Sequence, residues 1–143
     1  MNILKKMFLL LFLLVGITSL SFAASDWQFI TNSDEKVYGV DINSVGQVSE
    51  FPYQKYKKAW IKSVIQSDLT KDGMTIGDYS MMLYWADCNA KTIGLKTITH
   101  YKNNGKVVSD KGFSNAYVQM KDVIPETIGE GILDGICGST KYP

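Results

Sequence analysis

The sequence predicts an α+β domain: an antiparallel β-sheet of about six strands with one C-terminal α-helix packed on one face and tied by a disulfide. Three observations carry this. Segments with side-chain period two alternate with Asn-, Asp- and Gly-containing turns through most of the chain. One helical apolar repeat, Ile128, Ile132 and Ile136, comes last. Two cysteines, Cys88 and Cys137, sit in a chain that opens with the features of an export signal.

Residues 1–23 read as a signal peptide rather than as part of the fold. Lys5 and Lys6 give a positive start, residues 7–17 are nearly all apolar, and Ser21-Phe22-Ala23 offers small residues to a peptidase. Cleavage is expected between Ala23 and Ala24. A retained anchor is the alternative, but the apolar run falls short of the roughly 20 residues that span a bilayer. No cysteine directly follows the run, so the chain is not expected to be a lipoprotein. The mature chain, residues 24–143, is expected to form a single soluble domain, periplasmic or secreted. It would hold 120 residues, with 13 lysines against 14 acids and no arginine. A near-neutral chain without guanidinium groups is a poor nucleic-acid ligand.

In an oxidising compartment an even cysteine count implies pairing. With two cysteines the only intramolecular pair is Cys88–Cys137. Separate thiols or an intermolecular bridge are the alternatives.

Residues 24–30 carry Trp27 and Phe29 at period two and read as a first strand, with Asn32-Ser33-Asp34 as its turn. Residues 36–42 pair back as a second. Pro52 interrupts the next segment, and residues 53–65 form a longer strand. Residues 66–78 hold Asp68, Asp72 and Asp78 without the ligand ladder of a calcium loop, so they read as a solvated hairpin loop. Residues 79–88 follow as a strand. A tight turn at Asn89-Ala90 would set Tyr84 against Leu95, Ala86 against Ile93, and Trp85 against Gly94, with the indole covering that glycine. Residues 92–102 are the next strand. Asn103-Asn104-Gly105-Lys106 is a strong hairpin signal that would pair Tyr101 with Val108 and Lys102 with Val107. Residues 117–124 are short and mixed.

Thr127 and Glu130 have capping-box spacing at the start of the helix. Gly129, Gly131 and Gly135 each cost roughly 1 kcal/mol against alanine there. The helix must therefore be held by packing and by the bridge, and its glycines would let it sit close on the sheet.

Catalytic and metal chemistry find no set of residues. His100 is the only histidine, too few for a zinc site. No nucleophile elbow accompanies it. Asp34-Glu35 lies in a turn, and the C-terminal glycines do not follow a strand as a dinucleotide motif would. No catalytic residue, metal or cofactor is expected, and a small periplasmic hydrolase is a minor alternative. Lys55, Tyr56, Lys57 and Lys58 form the most suggestive surface, a candidate patch for an acidic partner or simply the wet face of a strand.

Several short pieces, in order and spacing, resemble the surface-adhesin protein E family of bacteria. They are Trp27, Val37-Tyr38-Gly39-Val40-Asp41, Ser44-Val45, Ala59-Trp60-Ile61-Lys62, Asp87-Cys88, residues 101–108, and Ile124-Pro125-Glu126-Thr127 running to Cys137. The resemblance implies an antiparallel sheet with a disulfide-stapled C-terminal helix. It also implies a binding role, since the family's named member is an outer-membrane lipoprotein that binds host matrix proteins such as vitronectin and laminin. That member has been linked to haem and can dimerise, so a protein partner and a homodimer are expectations here. This chain lacks a lipid-attachment cysteine and has only His100 to offer haem. The resemblance therefore carries over the fold, and not the ligand.

Overall fold

In the computed structural model, which describes residues 25–138, the chain forms one antiparallel sheet of eight strands and a C-terminal helix. The strands are β1 (Trp27–Asn32), β2 (Lys36–Asp41), β3 (Gly46–Gln47), β4 (Lys57–Ile65), β5 (Tyr79–Asp87), β6 (Thr92–Tyr101), β7 (Val107–Gly112) and β8 (Lys121–Asp122). The helix is α1 (Ile128–Cys137). The main sheet runs β1-β2-β4-β5-β6-β7, the six strands expected; β3 pairs with β4, and β8 with β6. The last two have two residues each, too short to show a period.

Register divides the sheet into two faces. On the first, Val40, Ile61, Met82 and Ile98 form one row across β2, β4, β5 and β6. Ala59, Tyr84 and Leu95 form the next. Helix α1 lies on this face, mainly along β1, and buries Ile132, Leu133 and Ile136 against Val40, Ala59, Ile61, Met82 and Ala86. Each buried branched side chain contributes about 1.5–3 kcal/mol. Cys137 is bonded to Cys88, just past the end of β5, with the two Cα atoms 5.7 Å apart.

The helix approaches β1 closely because two glycines face it. A Cβ at Gly131 would stand 2.6 Å from Thr31 Cβ, and one at Gly135 would stand 2.8 Å from Ile30 Cγ2. The β1–β2 register shifts between Phe29 and Thr31, within the stretch the helix packs against.

Four details correct the sequence reading. Residues 53–56 form a turn, with the Tyr56 N–H donating to the Tyr53 carbonyl at 3.0 Å, so β4 starts only at Lys57. The Asn-Gly hairpin closes as Lys102 N–H to Lys106 carbonyl, with Gly105 at φ +87°. Tyr101 consequently pairs with Val107, and a register shift restores the His100–Ser109 pairing. This is the three-residue loop with a bulge rather than the two-residue loop. Trp85 does pair with Gly94, yet the glycine is covered by the chain at 118–120, not by the indole: its Cβ would meet Met120 Sδ at 2.7 Å. The capping box is rearranged too. The Thr127 hydroxyl donates to the Ile124 carbonyl, and Glu130 accepts from the Glu126 N–H at 2.8 Å.

Candidate binding face and its neighbours

Among the described residues, the second face of the sheet carries no helix. Its rows, read from the register, are Lys58–Trp85–Gly94, Trp60–Leu83–Thr97, Lys62–Met81–Thr99–Asp110 and Val64–Tyr79–Tyr101–Val107. A solvent-facing sheet surface is ordinarily polar. This one is a layer of half-buried aromatic and apolar side chains with lysines set among them. Tyr79 and Tyr101 face each other across β5 and β6 and stack at 4.9 Å, 10° from parallel. The Lys62 ammonium lies 4.5 Å from the Tyr79 ring centre and 5.9 Å from that of Trp27. Such contacts hold a cation at a defined place without neutralising it.

At one end of the face Trp85 is buried among Tyr53 and Tyr56, with ring centres at 5.4 and 5.7 Å. Lys96 lies over the same indole at 5.9 Å and donates to the Phe113 carbonyl. Lys96 is the extra residue where the β5–β6 register shifts, which is why it joins Thr97 on this face.

The four residues of the sequence-derived patch are split. Tyr56 stacks on Trp85 and Lys58 pairs with it, so both border the open face. Lys55 is exposed, lies over the Tyr56 ring at 4.9 Å, and pairs with Asp87 at 3.5 Å. Lys57 is in register with Ala86 and belongs to the opposite side. The candidate cleavage residues Ala23 and Ala24 lie outside the described residues. Trp27, Lys62, Tyr79, Tyr101 and Lys96 were missed as a group. Their signal was present: aromatic residues on β4 and β5 at the parity opposite to Ile61 and Met82.

The buried carboxylates are structural clasps. Asp78 accepts from the Thr75 and Asn103 N–H groups at 2.8 and 2.9 Å and from Lys102 Nζ at 2.9 Å. These donors, the Thr75 N–H foremost, hold its pKa below the usual aspartate value. Thus the loop read as solvated is fastened at its end by a buried aspartate. Its other end is held by Glu35, whose carboxylate accepts from the Thr70 hydroxyl and N–H; the hydroxyl contributes most to its lowered pKa. Asp87 accepts from the Asn89 and Ala90 N–H groups at 3.1 and 2.9 Å, and its pKa is lowered chiefly by the latter. Asp41 accepts from the Asp26 and Asn43 N–H groups, both at 3.1 Å.

On the helix side, beyond the core, Ser63, Ser80, His100 and Ser109 form a row. His100 Nδ1 is 2.7 Å from the Ser80 hydroxyl, and Ser80 is buried. No group of three or more metal-ligating side chains occurs among the described residues. No helix among them is long and apolar enough to cross a membrane.

A concavity of about 720 Å³ opens at the edge of β6 between the 113–124 connection and the start of α1.

A family model for surface-adhesin protein E matches residues 27–138, which takes in the whole sheet and the helix. No curated protein and no solved structure matches the chain.

Proposed function

The chain belongs to the surface-adhesin protein E family, and from that premise we propose that it is an exported, non-enzymatic binding protein of the bacterial envelope. Its open sheet face takes an acidic segment of a protein partner. The observation that carries this is the layer of Trp60, Leu83, Met81, Tyr79 and Tyr101 with Lys58 and Lys62 set among them. An apolar, aromatic layer left at the surface of a folded domain is characteristic of an interaction site. Lys58 and Lys62 stand within the layer, whereas Asp41 and Asp87 lie at its margin, each accepting backbone N–H groups, and Asp110 sits at the β7 edge. Aromatic anchors with half-buried lysines between them are the chemistry of a protein-binding hot spot for carboxylates.

The disulfide supports export, because such bonds persist in oxidising compartments. A periplasmic or secreted location follows from the same reading. A host extracellular-matrix protein as the partner is a second reading, favoured by the description of the family as a surface adhesin.

Site-specific photo-crosslinking in the producing cells tests the proposal. A photoreactive side chain at Leu83 should give an adduct with an acidic protein, while the same group at Asp134 on the helix should not. Lys58→Glu with Lys62→Glu should abolish the Leu83 adduct. Adducts confined to the helix side would overturn the assignment of the face. Turnover of a periplasmic substrate that is lost in Ser80→Ala would replace a binding protein with a hydrolase.

A further inference from the structure

The sheet edge is incomplete at one place. Strand β7 pairs with β6 from Thr97 onward, and β8 pairs only with Thr92 and Ile93. Between them the chain swings out through Phe113, a short 3-10 turn at Asn115–Tyr117, and back. The 720 Å³ groove lies at this break, with Gly94 and Leu95 in its lining. Its volume is within the roughly 300–1,000 Å³ of small-molecule sites.

The lining is divided by polarity. Ile93 and Leu95 come from the core side of β6, Tyr84 from β5, and Phe113 from the connection. Lys111 from β7 and Lys121 from β8 stand at the same opening and are exposed. Neither has a carboxylate partner among the described residues. Lys111 lies over the Phe113 ring at 5.0 Å, so its charge is held beside the apolar wall. One acid, Asp122, shares the rim. Two ammonium groups against one carboxylate leave a single positive charge.

We propose that this groove binds a long-chain fatty carboxylate, its chain along Ile93, Leu95 and Phe113 and its head group at the rim, which Lys111 and Lys121 flank. The charge count favours a monoanion, and the apolar wall of Ile93, Leu95 and Phe113 favours an alkyl chain over an acidic peptide. This site lies on the other side of the sheet from the proposed partner-binding face, and the two readings stand or fall separately.

Titration of the purified protein with palmitate below its aggregation concentration, followed by displacement of a fluorescent fatty acid, tests it. Saturable binding is expected, with methyl palmitate weaker by about tenfold or more, the scale of a charge-assisted contact. Lys111→Gln with Lys121→Gln should weaken palmitate by a similar factor, and Asp122→Asn should tighten it. These exposed positions leave the fold intact, which circular dichroism verifies. Lys106→Ala, in the exposed β6–β7 turn, should leave palmitate binding unchanged. Absence of saturable binding, equal affinity for the ester, or wild-type affinity in the double lysine variant would overturn the proposal.

Discussion

At Gly131 and Gly135 helix propensity and packing pull in opposite directions. Alanine is better than glycine in a helix by about 1 kcal/mol. Yet a methyl at either position would meet β1 at under 3 Å, and overpacking of that kind costs about 1–3 kcal/mol. At Gly129 the nearest atoms are Thr127 Oγ1 at 3.4 Å and Ile93 Cδ1 at 3.6 Å, which is ordinary contact or close to it. Gly131→Ala and Gly135→Ala should therefore lower the urea midpoint, while Gly129→Ala should raise it by the equivalent of up to about 1 kcal/mol. A rise in all three would mean that the helix is not seated on β1 as described. Asp78 offers a second test. Its folded pKa is depressed, so its contribution is present above the unfolded value, about 4, and is lost as pH falls through the folded value. Asp78→Asn should lower the melting temperature at neutral pH and approach the wild-type curve in acid. Parallel curves throughout would deny the carboxylate that role.

Among the elements, the sheet strands and the helix were legible because their periods differ and their turns are marked. The β5–β6 register could be read from Asn89-Ala90, since Asp87 supplies the turn with an acceptor for two N–H groups. The β6–β7 register near the turn could not. Asn103-Asn104-Gly105 allows both a two-residue and a three-residue loop, and the choice is coupled to Asp78, which holds the Asn103 N–H from the loop just ahead of β5. β8 was illegible for a related reason: two residues have no period, and Lys121 and Asp122 pair only because β6 has a free edge there. The staple between α1 and the end of β5 closes a loop of sequence separation 49. By the chain-entropy argument it is worth about 4 kcal/mol. The double substitution Cys88→Ser, Cys137→Ser should lower stability by that order in chemical denaturation. An unchanged midpoint would show that packing alone holds the helix.

At the scale of the whole sheet, one face is covered by a helix, and the other carries none of the described residues' helices and has aromatic side chains in place of polar ones. The sequence showed half of this. Alternation in β4 separates Ala59, Ile61, Ser63 and Ile65 from Lys58, Trp60, Lys62 and Val64. It does not say which set meets the helix, nor that Lys57 falls away from its neighbours in the lysine-rich run. The rows that join Lys62 to Tyr79, and Tyr79 to Tyr101, depend on strand order and register, which no local segment encodes. The family assignment and the lysines set within that aromatic layer make it the centre of the functional account. The most direct measurement is the affinity of the Lys58→Glu, Lys62→Glu protein for the partner crosslinked at Leu83, compared with that of the wild type. The account predicts a loss of about tenfold or more, with binding in the wild type weakening as salt rises. Equal affinity in a folded variant would contradict it.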